Sequence, residues 1–323
     1  MSHPPAPDDQ DPPEPDTPGA WNDRLAALQT DHPELAGAQI DEVIRHVPGK
    51  LAILRGQMAG RGAVFRFYLD KPEHAARDWN ELSRVWPHMN DGDLQVCAPL
   101  AHVREAGLLA VADIPGTPLL QLLYAQEPEA RGQWLDPAAR WLRAYTDLSE
   151  TETPAAPEGW VKRASRAVSS QPFNRLRRVE KPILQEVHRI GTMLEGTTWR
   201  NAISHGDYHP NNLVAEATRL TGIDCGGSGR LPIYKDMARF LMHMGRRGMI
   251  PSGEMYLGVD RQGIAAFARW FDLSTRERTI VLPFFIAVEA LIRVETRNLP
   301  NSRIRRARKM SDALLADLRE VGL

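Results

Sequence analysis

Two carboxylates and one carboxamide stand close together past the middle of the chain. Asp207 and Asn212 belong to His205-Gly206-Asp207-Tyr208-His209-Pro210-Asn211-Asn212, and Asp224 follows Gly222-Ile223. Asn212 lies five positions beyond Asp207, and Asp224 twelve beyond Asn212. Such a set suits transfer of a phosphoryl group to a hydroxyl. That reaction needs little covalent help from a protein, but it needs magnesium across the phosphate oxygens and an acceptor oxygen held in line. Magnesium takes hard oxygen ligands and keeps several waters, so the Asn212 amide oxygen and the Asp224 carboxylate are a sufficient protein share. Asp207, kept off the metal, would take or orient the hydroxyl proton. Small apolar residues flank both clusters, so each polar group is expected at a strand end.

The ordered set His-Gly-Asp-x-His-Pro-x-Asn, then Ile-Asp, then a further Asp in Tyr234-Lys235-Asp236-Met237-Ala238-Arg239 resembles the aminoglycoside phosphotransferase and choline kinase family of small-molecule kinases. The resemblance implies an α+β, two-lobed, protein-kinase-like fold, with an antiparallel sheet in a small N-terminal lobe and a larger, mainly α C-terminal lobe. It implies Asp207 as catalytic base, Asn212 and Asp224 as magnesium ligands, and Asp236 as a buttress of the loop. His205 would be a buried scaffold residue whose ring bonds backbone near Asp224. ATP would be the donor and a small-molecule hydroxyl the acceptor. A choline, ethanolamine or sugar kinase is the alternative within this class. A nucleotide-binding pseudokinase that regulates a partner is the alternative outside it.

The remaining elements must position these groups. Residues 1–19 are rich in Pro, Asp and Glu with almost nothing to bury, which predicts a disordered acidic tail. Beyond it, Trp21, Leu25, Leu28 and Leu35 recur at roughly helical spacing. β-like runs at 42–47 and 51–54 around Pro48-Gly49-Lys50 predict a hairpin, 63–69 a third strand, and 72–85 a helix opening on proline. In the family the first hairpin turn lies over the nucleotide phosphates, which points to Gly49 and Lys50. A kinase-like site also offers a cation from the third strand to the α- and β-phosphates, held by a Glu of the next helix. Arg66 and Glu81 fill those places. Arg departs from the aminoglycoside phosphotransferase pattern, where Lys is usual, although choline kinase-like members show Arg in a similar strand. Its planar fork could grip phosphate oxygens bidentately.

Residues 103–114 are expected as a strand leading out of this lobe, with the backbone of 111–113 as the edge for adenine. Pro115-Gly116-Thr117-Pro118 breaks it. Helical periodicity then dominates, over 134–148, 161–168, 176–194, 237–244, 263–271 and 279–294. A terminal amphipathic helix begins with Arg303, Arg305, Arg306, Arg308 and Lys309. The chain therefore divides into the tail, an N-terminal nucleotide-binding lobe over 20–114 and a C-terminal catalytic and substrate-binding lobe over 115–323.

Composition agrees. The 323 residues are 42% hydrophobic and 25% charged, ordinary for a globular enzyme. A formal net charge of −1 gives no general attraction to nucleic acid or anionic membrane, so neither is expected as a partner. Cys97 and Cys225 lack metal-ligand spacing and suit a reducing compartment. No run approaches the roughly 18 apolar residues of a membrane span, and no signal-peptide pattern opens the chain, so a cytoplasmic location is expected. His205 and His209 have no second ligand at zinc spacing. Acceptor identity stays open, because neither a carboxylate-rich pocket nor an aromatic cage stands out. The region past residue 250 mixes Glu254, Asp260, Asp272, Glu289 and Glu295 with Arg293 and Arg297.

Overall fold

The structure, a computed structural model, describes residues 17–226, 229–294 and 298–322. Two compact units result, one built from the residues up to Asn80 with Ala98–Ile114, the other from Glu81–Cys97 with the chain from Pro115 onward.

The first unit opens with α1 (Pro18–Gln29), which Thr17 caps by accepting from the Ala20 amide at 3.4 Å. Proline in its first turn has no N–H to leave unsatisfied. Five antiparallel strands form one sheet in the order β1-β2-β3-β6-β5: β1 (Gln39–Val47), β2 (Leu51–Met58), β3 (Arg61–Tyr68), β5 (Pro99–Val103) and β6 (Leu108–Ala112). Period-two alternation sorts β3 into two faces: Ala63, Phe65 and Phe67 are fully buried, whereas Val64, Arg66 and Tyr68 point the other way. Trp21 and Leu25 of α1 close the first face, with the Trp21 and Phe67 ring centroids 5.1 Å apart. The division between the units falls within α2 (Glu73–Val85).

Helices dominate the second unit: α3 (Leu119–Ala125), α4 (Pro128–Arg131), α5 (Leu135–Asp147), α6 (Pro157–Ser169), α7 (Asn174–Leu194), α8 (Ile233–Gly245), α9 (Arg261–Trp270), α10 (Leu282–Ile292) and α11 (Asn301–Leu318). Small sheets are set among them. β4 (Leu94–Val96), β11 (Arg219–Gly222), β10 (Leu213–Glu216) and β7 (Thr117–Pro118) form one in that order, and β12 (Arg230–Pro232), β9 (Thr198–Ile203) and β8 (Thr151–Pro154) another. Met255–Tyr256 and Val259–Asp260 add a two-stranded ladder, β13 and β14. The segment that carries Asp207 and Asn212 runs from β9 to β10, and Asp224 follows β11. Gly222 ends β11 because a Cβ there would lie 2.0 Å from the Trp141 ring. Among the described residues no helix is long and apolar enough to cross a membrane.

Three boundaries differ from expectation. Residues 1–16 of the expected tail lie outside the described residues, but Thr17–Gly19 already form the cap and first turn of α1. Residues 103–114 are not one strand. Val103 ends β5, the polar turn Arg104-Glu105-Ala106-Gly107 reverses the chain, and β6 returns beside it. The helix expected over 279–294 begins as a π-turn at Glu277–Val281. Pro283 has no N–H to donate to residue 279, so the ladder shifts register there.

Candidate active site

The β10–β11 hairpin joins the two polar clusters. Leu213 pairs with Gly222, so the residues just beyond this pair lie side by side, and the Ile223 amide donates to the Asn212 carbonyl at 3.0 Å. Asn212 Nδ2 donates to the Asp207 carbonyl at 3.0 Å. An acceptor there requires the NH2 of the amide, which assigns the other end as oxygen. The buried Asn212 thus turns its nitrogen to the loop and keeps Oδ1 for a hard cation. Asp224 is exposed and adopts φ +58, a left-handed conformation that Asp tolerates better than most side chains. His205, buried, bonds the Ile223 carbonyl through Nε2 at 3.0 Å, and that contact makes Nε2 the protonated nitrogen.

Helix α8 lies along the loop, one contact per turn. Asp236 Oδ2 accepts from the Gly206 amide at 2.9 Å, Arg239 Nε donates to Asp207 Oδ1 at 2.9 Å, and the His243 ring packs, tilted, against His209 with centroids 4.4 Å apart. Positions 236, 239 and 243 share one helix face, so a single helix meets Gly206, Asp207 and His209. The buried Lys235 donates to the Gly206 carbonyl and lies 3.2 Å from Asp236 Oδ1. Gly206 can offer both its backbone groups because its φ is +81.

Asp207 is the exposed member of this set, with 55% of its side chain accessible. Arg293 Nη2 approaches its Oδ1 at 3.7 Å and His209 Nε2 its Oδ2 at 3.3 Å. Burial alone would raise the pKa of Asp207, but the bond from His209 and the charge of Arg239 outweigh it and hold the carboxyl well below its ordinary range. His243 is pushed the other way from a charged state: burial, with Arg247 beside it, lowers its pKa to about 2. Among the described residues no group of three His, Cys, Asp or Glu could hold a metal ion. The Asn212 amide oxygen and the Asp224 carboxylate are hard oxygen donors of the kind magnesium prefers.

Tyr208 anchors the loop from below. Its hydroxyl donates to the Ala138 carbonyl at 2.6 Å, and its ring stacks between Trp141 and Phe240, at 5.4 and 5.2 Å. Trp141 in turn stacks on Tyr145, whose hydroxyl donates to Glu81 Oε1 at 2.6 Å. Glu81 also receives both Nε and Nη2 of Arg84, at 2.9 and 2.6 Å. Its carboxylate is therefore engaged within the second unit.

In the first unit, Gly49 and Lys50 form the β1–β2 turn, with Gly49 at φ +68 and the Lys50 amide donating to Val47 at 3.0 Å. Arg66 pairs across β3 with Ile53 and Leu109, near the same end of the sheet as that turn. Its guanidinium bonds the Tyr68 hydroxyl, which donates to the buried Asp78. Burial first, then Asp78, raise the Tyr68 pKa, while Arg66 works against them. The backbone edge expected for adenine is partly used: the Ala112 and Asp113 amides donate to Ala98 at 2.9 Å and Gly62 at 3.0 Å.

Sequence reasoning passed over Lys235, Arg239 and His243 as members of the site. The signal for Arg239 and His243 was available, since both repeat the helical spacing of Asp236. Lys235 carried no such signal, because neighbouring helix positions point apart.

A profile of the phosphotransferase enzyme family, APH, matches residues 51–270. No curated protein sequence matches. Among solved structures, amicoumacin kinase hAmiN in complex with AMP-PNP, Ca2+ and Ami is 12% identical, with a TM-score of 0.60 over 92% of this chain and 95% of that one. Aminoglycoside phosphotransferase APH(4)-Ia is 13% identical, with a TM-score of 0.56 over 91% of this chain and 99% of that one. Choline kinase LicA from Streptococcus pneumoniae is 14% identical, with a TM-score of 0.54 over 91% and 99%. At these identities the likeness is one of fold: α+β and protein-kinase-like, an antiparallel sheet in the first unit and mostly helix in the second. The family profile spans well over half of the sequence, and the chain belongs to the phosphotransferase enzyme family.

Proposed function

We propose that this chain moves the γ-phosphoryl group of ATP to a hydroxyl of a small molecule, with magnesium held by Asn212 and Asp224. The Asn212 side chain carries the reading: its amide nitrogen is committed to the Asp207 carbonyl, which leaves its oxygen for a cation, and the Ile223 amide on the Asn212 carbonyl brings the residue before Asp224 alongside. Magnesium held there would supply positive charge against that of the phosphates. Asp207, ionised and half exposed, receives the acceptor hydroxyl and orients it for in-line attack. Asp207 takes the hydroxyl proton as the new bond to phosphorus forms and the bond to ADP breaks. Asp236 and His205 keep the loop in shape. Gly49, Lys50 and Arg66 take the nucleotide phosphates in the first unit, and Glu81 braces the second through Tyr145, which packs on Trp141. The solved amicoumacin kinase, with its AMP-PNP and Ca2+, supports a nucleotide and a divalent ion for a fold of this kind. A cytoplasmic location follows from the need for ATP.

The test is ATP consumption by wild type beside Asp207→Asn and Arg66→Ala, with saturating magnesium and a panel of amino alcohols, sugars and hydroxy acids. Turnover in wild type that falls roughly two to four orders of magnitude in Asp207→Asn, with nucleotide affinity kept, supports the enzyme. ATP binding with no consumption by any of the three proteins would instead indicate a regulatory nucleotide-binding module.

A further inference from the structure

The surroundings of Asp207 are cationic. Arg239 Nε and Arg293 Nη2 converge on one carboxylate oxygen, at 2.9 and 3.7 Å. Beside these two guanidinium groups stand, among the described residues, Asp207 itself and Glu289, whose Oε2 lies 3.2 Å from Arg293 Nε. Glu289 is fully buried and cannot be reached by an acceptor's ammonium group. Burial first, then the charge of Arg293, lower the Arg239 pKa despite its own contact with Asp207.

The two arginines are placed differently. The Arg239 side chain is only 12% exposed and is committed to Asp207. That of Arg293 is 33% exposed, at the C-terminal end of α10, and its hydrogen bond to Glu289 uses Nε, whereas 3.7 Å from Nη2 to Asp207 is ion-pair distance and not a hydrogen bond. A guanidinium has five N–H donors, and a hydroxyl bonded to Asp207 would lie close to this one, whose Nη2 is 3.7 Å from the same carboxylate.

Resting on the reading that Asp207 receives the acceptor hydroxyl, we propose that the acceptor carries an oxyanion, carboxylate or phosphate, beside the hydroxyl that is phosphorylated, and that Arg293 binds it. Polycationic and quaternary-ammonium acceptors are disfavoured at this site. They would bring further positive charge next to Arg239 and Arg293, where the accessible carboxylate, Asp207, is the one needed for chemistry. An oxyanion would meet the Arg293 fork in the bidentate manner that guanidinium favours.

The test uses the full chain with Mg-ATP and matched acceptors that differ in charge: glycerate, glycerol phosphate, glycerol and aminopropanediol, then glucuronate, glucose and glucosamine. The oxyanion members are expected to exceed the neutral ones by about ten-fold to a hundred-fold in kcat/KM, the worth of a hydrogen bond to a charged group. The amines should be poorest. Arg293→Gln should remove most of the preference by raising KM for the oxyanions, and Arg293→Glu should turn it toward the amines. Each preference is a ratio on one protein, so partial misfolding cancels. Equal or better use of the amines by wild type overturns the inference while leaving phosphotransfer intact. An Arg293→Gln that lowers kcat for all acceptors by one factor also overturns it, by placing Arg293 on the transferred phosphoryl group. If no compound drives ATP consumption, the phosphotransfer reading fails on its own. Calorimetric binding of the same compounds then decides the charge preference, and equal affinities or tighter amine binding reject it.

Discussion

Asp236 accepts the Gly206 amide at 2.9 Å from within a fully buried site, so the residue preceding Asp207 is pinned by a helix thirty positions later in the chain. Lys235 takes the carbonyl of the same glycine, and the two side chains face each other at 3.2 Å. Gly206 is therefore clamped on both of its backbone groups by adjacent residues of α8. Loop shape depends on a buried ion pair.

Removing one half of that pair strands the other. Asp236→Ala should lower unfolding free energy by roughly 3–5 kcal/mol, the cost of an uncompensated buried charge. Asp236→Ala with Lys235→Met should recover part of the stability but not activity, because Gly206 stays unclamped. Urea denaturation and turnover, measured on the same samples, separate the two. A single variant within about 1 kcal/mol of wild type would show that the clamp carries little stability.

Asp224→Ala should weaken ATP binding in magnesium far more than in its absence. Asn212→Ala should do so more mildly, since a neutral amide contributes less than a carboxylate to a divalent ion. Calorimetric titration with and without magnesium checks both. An equal loss in the two conditions would assign Asp224 to folding and not to metal.

His243 should make the fold acid-sensitive. Its folded pKa, about 2, lies below the ordinary value of 6.5, so below pH 6.5 the unfolded chain binds a proton that the folded chain refuses. Its stabilising contribution is complete above pH 6.5 and is lost as pH falls toward 2, at roughly 1.4 kcal/mol per pH unit. Neither ring nitrogen of His243 has a hydrogen-bond partner among the described residues. His243→Leu should therefore be close to neutral at pH 7.5 and more stable than wild type at pH 5.5. Urea midpoints for the two proteins that fall in parallel between these conditions would exclude His243 as the cause.

Gly222→Ala should be among the most damaging small substitutions. The new methyl would stand 2.0 Å from the Trp141 ring, and that ring is held by Tyr145 on one side and Tyr208 on the other. Overpacking of this kind costs about 1–3 kcal/mol, and the displaced strand end would carry Asp224 with it. Loss of magnesium affinity should exceed loss of stability. Gly222→Ala together with Trp141→Leu tests the clash, and no improvement over the single variant would place the damage elsewhere.

Much of the fold was legible because its signals are local. The turn residues Pro48-Gly49-Lys50 announce the first hairpin, and 3.6-residue periodicity locates α5, α7 and α8 to within a few positions. The ends of β10 and β11 could be read from the polar clusters themselves. What stayed hidden depends on partners distant in sequence. β8 and β9 pair across the intervening α6 and α7, so neither strand shows its status alone. The bulge-bearing β1 begins at Gln39, earlier than its β-like run, because pairing with Gln57 decides it. In the same way, Arg293 could be seen in the sequence as one charge among several. Only the return of α10 beside α8 gives it an address at Asp207.

Helix α8 separates two jobs by height. Its first turn, Lys235 and Asp236, shapes the loop, while the next two turns, Arg239 and His243, set the charge around Asp207. A lineage could therefore exchange the upper residues, and Arg293 opposite them, to accept a differently charged hydroxyl compound without disturbing the Gly206 clamp. Such an arrangement lets substrate choice drift by point substitution while the phosphoryl-transfer geometry is inherited unchanged.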